Sequence, residues 1–175
     1  MKIAVITGAS SGLGVELLRA AAELCPDIDA FWLIARRRER LEALAAQFPG
    51  KTLLPVPLDL TDPTALKSLE SLLDAQKPAV SLLINNAGFG AFGPASDMDE
   101  AMLKKMIRLN VMALTSLSLR MARRMKREGR GRIMNVASTA AFQPCPYLGG
   151  YGATKSHELS FTESPAQELK GSGAT

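Results

Sequence analysis

The sequence predicts an α/β fold built on a doubly wound parallel sheet with strand order 3-2-1-4-5. Three observations carry that expectation. Short apolar runs of strand length alternate with amphipathic stretches of helix length along the whole chain. A glycine-rich turn, Thr7-Gly8-Ala9-Ser10-Ser11-Gly12-Leu13-Gly14, joins the first run to the first amphipathic stretch. Pro55 and Pro57 fall inside the third run. Proline has no N–H to give to a ladder, so that strand belongs at a sheet edge, where this order places it.

Taken in order, Ile3 to Ile6 is a buried strand, followed by a helix whose apolar positions are Val15, Leu17, Leu18, Ala21 and Ala22 and which closes at Pro26. Phe31 to Ala35 is the second strand, and Arg37 to Phe48 the second helix, ended by Pro49-Gly50. Thr52 to Leu58 is the third strand. Asp62-Pro63 then supplies an N-cap and a first-turn proline for a helix reaching about Gln76. Val80 to Ile84 is the fourth strand. Residues 99–128 read as one long helix ending at Gly129, with Arg123, Arg124, Lys126 and Arg127 at the negative end of its dipole. Arg132 to Val136 is the fifth strand, and its outer edge is expected to lie open, exposing Ile133, Met134 and Val136. A last helix starts near Tyr151, and Pro165 is expected to kink or end it near Ser164.

Composition bounds the possible functions. The 175 residues, 47% hydrophobic, suit one domain spanning 1–175. Cys25 and Cys145 stand far apart with no CxxC pair, which excludes a disulfide scaffold or a structural zinc site as organising principle, and no metal is expected. No apolar run approaches the ~20 residues of a membrane helix. The opening strand breaks at Thr7-Gly8, short of the apolar core of a secretion signal, so a soluble cytoplasmic protein with no membrane partner is expected. The net charge of +4 is too mild to dictate a polyanionic partner. Seven basic side chains against one acid in 120–132 raise nucleic-acid binding as an alternative, but no aromatics interleave them. The methionines at 98, 102, 106, 112, 121 and 125 are expected to pack helix faces. The single histidine, His157, is offset by about 240° from Tyr151 on a helical wheel, so it points away from that residue's face.

Three motifs carry chemistry. In the turn after the first strand, Gly8, Gly12 and Gly14 let backbone N–H groups approach a pyrophosphate at a helix N-terminus, with Ser10, Ser11 and Leu13 alongside, a Rossmann-like arrangement. The second strand ends in Ala35-Arg36-Arg37-Arg38 with no acid. An acid there would hold an adenosine ribose 2′-hydroxyl, whereas arginine accommodates a 2′-phosphate, so Arg36 and Arg37 favour NADP(H), with NAD(H) possible. Tyr151 and Lys155 form Y-x-x-x-K at the start of the last helix. Residues four apart share a face, so phenol and ammonium can address one cleft. A neighbouring cation favours the phenolate and brings a phenol of ordinary pKa about 10 toward acid–base use near neutrality. Ser138 follows the fifth strand, at the carboxyl edge where ligands bind in such sheets.

With these motifs in order, the chain resembles the short-chain dehydrogenase/reductase family along its whole length. The resemblance implies that Thr7-Gly8-x-x-x-Gly12-x-Gly14 is the cofactor turn, that Asp59 and Leu60 contact adenine, and that Asn86, Ala87 and Gly88 form the motif after the fourth strand. It implies a catalytic set of Asn110, Ser138, Tyr151 and Lys155. Tyr151 is then the acid or base and also a cofactor-binding residue, Ser138 polarises the carbonyl, Lys155 lowers the Tyr pKa and holds the nicotinamide ribose, and Asn110 holds a relay water through its main chain. The implied activity is hydride transfer between NADP(H) and a carbonyl or alcohol substrate, in a homo-oligomer (dimer or tetramer) paired through the long helix and the catalytic helix. Family members run on beyond the position of Thr175, into further strands and a substrate loop. A catalytically impaired dinucleotide-binding fragment or regulator is therefore the second expectation.

Overall fold

In a computed structural model covering all 175 residues, five parallel strands form one sheet in the order β3-β2-β1-β4-β5. They are β1 (Lys2–Thr7), β2 (Ala30–Ala35), β3 (Thr52–Pro57), β4 (Ala79–Asn85) and β5 (Arg132–Asn135). Six α-helices accompany them: α1 (Leu13–Leu24), α2 (Arg38–Ala45), α3 (Ala65–Gln76), α4 (Glu100–Ile107), α5 (Leu114–Glu128) and α6 (Gly149–Glu168).

Strand residues alternate between two cores. Ile3 and Val5 of β1, with Trp32 and Ile34 of β2, pack under Leu69 and Leu73 of α3 and Leu117, Met121 and Met125 of α5. Ala4 and Ile6, with Phe31 and Leu33, face Leu18, Ala21 and Ala22 of α1 and Leu41 and Leu44 of α2. Helices cover both faces, which is why the central strands read as unbroken apolar runs rather than as alternating ones. At the β3 edge, Leu58 N donates to Ala35 O at 3.1 Å. The even-numbered residues therefore turn their N–H groups toward β2, and the nitrogens of Pro55 and Pro57 face outward, where no donor is needed.

Four expectations are corrected. The stretch 99–128 is helical but not one α-helix: a π-helical turn, Arg108–Ala113, separates α4 from α5. Asn110 sits in this turn and sends its side chain to neighbouring elements, a lateral pull of the kind that accompanies such bulges. Secondly, α6 continues through Pro165 to Glu168. The bond that proline cannot make is lost, but Leu169 N still donates to Pro165 O at 2.9 Å, and burial of Leu169 in the core holds the final turn. Thirdly, the outer edge of β5 is partly covered, although Met134 is exposed as expected. Gly171 and Gly173 take φ near +80° and turn the chain back. Thr175 N then donates to Gly131 O at 3.0 Å, and Ile133 N donates to Thr175 O at 2.8 Å. The result is a parallel bridge between Gly131 and Ala174. Fourthly, Met106, Met121 and Met125 are buried as expected, whereas Met102 and Met112 are exposed.

The basic cluster is partly tied to the fold. Arg120 pairs with Glu70, and Arg124 with Asp74 at 3.4 Å, fastening α5 to α3, while Arg124 also pairs with Glu128 at 3.3 Å within α5. No helix is long and apolar enough to cross a membrane.

Candidate active site

The carboxyl ends of the strands bring the motifs together. Thr7, buried at the end of β1, accepts from Asn86 N and Ala87 N, both at 3.0 Å, through Oγ1. Asn86 Nδ2 donates back to Thr7 O at 3.1 Å and Gly8 O at 3.3 Å. These bonds press the turn after β1 against the one after β4, and only glycine fits. Gly8 has φ +67°, and a Cβ there would lie 2.8 Å from Asn86 Nδ2. A Cβ on Gly14 would run into the Gly8 carbonyl oxygen. Gly12 begins α1 with no side-chain cap, so the first-turn N–H groups keep their partial positive charge beside the turn.

Next to that turn lies a cavity of about 390 Å³. Of the residues expected to bind a cofactor, Gly8, Ser10, Ser11, Leu13, Gly14, Arg36, Arg37, Asp59, Leu60, Asn86, Ala87 and Gly88 line it. Gly12, Tyr151 and Lys155 do not. Lys105 of α4 joins Arg36 and Arg37 as a third cation on the wall. Partial burial works to raise the Asp59 carboxyl. The hydrogen bonds from Thr61 Oγ1 (2.7 Å) and Thr61 N (2.9 Å), with the charges of Arg36 and Lys105, outweigh it and hold the group below its ordinary value.

The tyrosine and lysine stand on the first turns of α6. Lys155 Nζ lies 6.0 Å from the Tyr151 ring centre. It donates to Val136 O at 2.6 Å and to Glu158 Oε2 at 2.7 Å. The loop after β4 threads between these groups: a Cβ on Gly90 would touch the Tyr151 ring at 3.0 Å, and one on Gly88 would lie 3.2 Å from Asn110 Oδ1 and 3.8 Å from Lys155 Nζ. Asn110, 1% exposed, fixes that loop. Its Oδ1 accepts from Phe89 N at 3.1 Å, and its Nδ2 donates to Phe89 O at 2.8 Å and to Thr154 Oγ1 at 3.0 Å. Ser138 Oγ accepts from Ala140 N at 3.2 Å and caps a short 3-10 turn, Thr139–Ala141. That contact leaves the serine O–H free to donate. Ser156 Oγ, donating to Ala141 O at 3.0 Å, docks the turn on α6.

The arrangement is an uncapped helix start and three cations beside a cavity, and the loop that continues from its Gly88 wall runs past the Lys155 ammonium and the Tyr151 ring. A sequence profile described as short chain dehydrogenase matches residues 2–175. The chain belongs to the short-chain dehydrogenase family. It is 31% identical over 176 residues to a short chain dehydrogenase of Pseudocercospora fijiensis, covering 98% of this chain and 56% of that protein. It is 32% identical to an NADP-dependent 3-hydroxy acid dehydrogenase of Salmonella typhi, covering 97% of this chain and 67% of the relative. A short-chain dehydrogenase from Sphingobium yanoikuyae, solved in complex with NADPH, superposes with TM-score 0.90 at 33% identity, covering 99% of this chain and 68% of that one. The chain thus spans between half and about two thirds of the length of these short-chain dehydrogenases.

Two residues at the site were not singled out from the sequence. Lys105 looks there like one more cation on a solvated helix, and only the folded path of α4 brings it to the cavity. Glu158 was legible in principle, as an acid three residues beyond Lys155 on the same helix face. It is 0% exposed, and its Oε1 has no partner. Burial pushes its carboxyl above its ordinary value, against the opposing hydrogen bond and charge of Lys155. His157 lies on the exposed side, with Nε2 3.0 Å from Thr115 Oγ1.

Proposed function

We propose that the protein is an NADP(H)-dependent oxidoreductase that interconverts a carbonyl and an alcohol, with Tyr151 as the acid–base residue. One observation carries the reading: the Tyr151–Lys155 pair and the cavity lined by the glycine turn and Arg36 share the carboxyl edge of one sheet. A dinucleotide fits the residues present. The space at Gly8 and Gly14 that a Cβ would fill, and the uncapped start of α1, suit a pyrophosphate. Asp59 and Leu60 would take the adenine end. Arg36 and Arg37, with no acid at the end of β2, suit a ribose 2′-phosphate, and this selects NADP(H) while leaving NAD(H) as the weaker ligand. The Salmonella relative and the NADPH-bound Sphingobium enzyme support the same choice.

The bound nicotinamide supplies or accepts the hydride. The protein's part is proton transfer and placement. In reduction the Tyr151 phenol donates its proton to the carbonyl oxygen, and in oxidation the phenolate takes the proton of the alcohol. The Ser138 hydroxyl donates to the same oxygen and stabilises the charge that develops there. The Lys155 ammonium favours the phenolate and offers its remaining N–H to the ribose. Asn110 keeps the loop at 88–90 against both groups, and its main chain would hold a relay water. The test is a titration with NADPH followed by fluorescence of the single tryptophan, Trp32, together with NADPH consumption over a panel of aldehydes and ketones. Saturable binding with turnover of at least one carbonyl is expected. Absence of binding would overturn the reading.

A further inference from the structure

We propose that Glu158 is a positioning residue for Lys155: its buried carboxylate orients the ammonium toward the cleft, offsets part of its charge, and thereby sets the pH at which Tyr151 exchanges its proton. The proposal rests on Tyr151 and Lys155 being the proton-transfer pair.

An ammonium has three N–H donors and no acceptor. Two of those on Lys155 are taken, by Val136 O at 2.6 Å and by Glu158 Oε2 at 2.7 Å. The third has no acceptor within the chain, and its neighbours include Gly88, whose Cβ would lie 3.8 Å from Nζ, and the Tyr151 ring, centred 6.0 Å away. Without Glu158 the ammonium would have one anchor and could rotate about it. The carboxylate is also a costly choice for its location. Glu158 is fully buried, and its Oε1 has no partner. An apolar side chain there would avoid the desolvation, so core packing gives no reason for an acid. What the acid supplies is charge beside Lys155.

No other charged side chain competes for that role. On the π turn and on β5, Arg108 and Arg132 are exposed. On α4, Lys104 pairs with Glu100 at 3.0 Å and Lys105 lines the cofactor cavity. On α5, Arg120 and Arg124 pair with acids of α3, and Arg123, Lys126 and Arg127 are exposed. The short turn 139–141 carries no charged residue. On α6 itself, His157, Glu163 and Glu168 are exposed. The titratable groups facing one another are therefore Glu158, Lys155 and Tyr151. With Glu158 ionised, Tyr151 feels a neutralised pair rather than a bare cation. Removing the negative charge should strengthen the pull on the phenolate and ease loss of the proton from Lys155.

The experiment compares the full wild-type chain with Glu158→Gln and Glu158→Asp. The first readout is the Lys155 pKa, from the ε-carbon resonance of 13C-labelled lysine, assigned by its absence in Lys155→Arg. It needs no turnover. The second is the pH midpoint of NADP-linked alcohol oxidation. In Glu158→Gln the Lys155 pKa should fall by about one unit or more, and the oxidation midpoint should move to lower pH by about half a unit or more. Glu158→Asp, which keeps the charge but retracts it, should shift both in the same direction by a smaller amount. A role in packing alone would lower the melting temperature and leave both midpoints in place. Turnover with both midpoints unmoved in Glu158→Gln would overturn the role of Glu158 and leave the Tyr151 reading intact. A shifted Lys155 in a chain that neither binds NADPH nor turns over would instead overturn the proton-transfer reading, and the control of Tyr151 with it. If Glu158→Gln does not fold, Glu158→Asp still decides: its retracted carboxylate should lower the Lys155 pKa by a smaller amount, and a value equal to wild type would overturn the proposal.

Discussion

Replacing Asn110 by alanine removes three hydrogen bonds at once: the bond accepted from Phe89 N and those donated to Phe89 O and Thr154 Oγ1. Thr154 keeps its own donation to Tyr151 O at 2.7 Å, so its loss is small. The main cost falls on the two main-chain groups of Phe89, whose loop borders Tyr151 and Lys155. At about 1 kcal/mol per net hydrogen bond, more where a group is left without water, the expected destabilisation is roughly 2–4 kcal/mol. For a chain of this size that corresponds to a melting temperature lower by about 8 °C. Thr154→Val, which disturbs the same cluster from the helix side without orphaning Phe89, should cost about 1 kcal/mol. Thermal and urea unfolding measure both variants. An Asn110→Ala protein melting as wild type does would refute the assignment of Asn110 as the anchor of the 88–90 loop.

Three further outcomes are expected. Arg36→Asp should weaken NADPH binding about tenfold or more beyond any effect on NADH, because a charge-assisted contact is replaced by a repulsive one; equal losses for both cofactors in paired titrations would contradict it. Gly14→Ala drives a methyl group into the Gly8 carbonyl oxygen, so cofactor affinity should fall at least about tenfold while far-UV circular dichroism changes little, since the strain is confined to one turn. Glu158 gives a pH signature in stability: its carboxyl binds a proton more tightly in the folded chain than in the unfolded one, so its stabilising contribution is fully present below the ordinary value of 4.5 and is lost as pH rises through the raised folded value. The melting temperature of Glu158→Gln should therefore gain on wild type as pH increases across that window, and a constant difference from acid to neutral pH would show that the group is not perturbed.

Much of the architecture was legible because its causes are local. The alternation of Ile3 and Val5 with Ala4 and Ile6 belongs to a strand covered on both faces, and Pro55 and Pro57 can only lie where no partner needs their nitrogens. The glycines at 8 and 14 announce a close approach, although the groups that crowd them, Asn86 and Ala87, come from a turn more than seventy residues away. What escaped depends on long-range partners. The π turn holds Asn110 where its side chain bonds to Phe89 and Thr154, partners that no helical periodicity reveals. Pro165 reads as a helix end, yet burial of Leu169 carries α6 past it. The return of Ala174 and Thr175 to β5 is a matter of where a turn points. Glu158 sat in plain view beside Lys155, but an acid near a lysine on a helix is usually a solvated pair, and only its burial distinguishes this one.

In the function proposed, Tyr151 moves the proton in a hydride transfer supported by NADPH bound at the glycine turn. The most direct test is single-turnover NADPH oxidation with a carbonyl that the wild-type chain reduces, set against Tyr151→Phe. The phenylalanine variant should bind NADPH within a few-fold of wild type, since Tyr151 lies outside the lining of the cofactor cavity, and its rate should fall by about 100-fold or more, the usual scale of general acid–base catalysis. A Tyr151→Phe protein that oxidises NADPH at the wild-type rate would contradict the account.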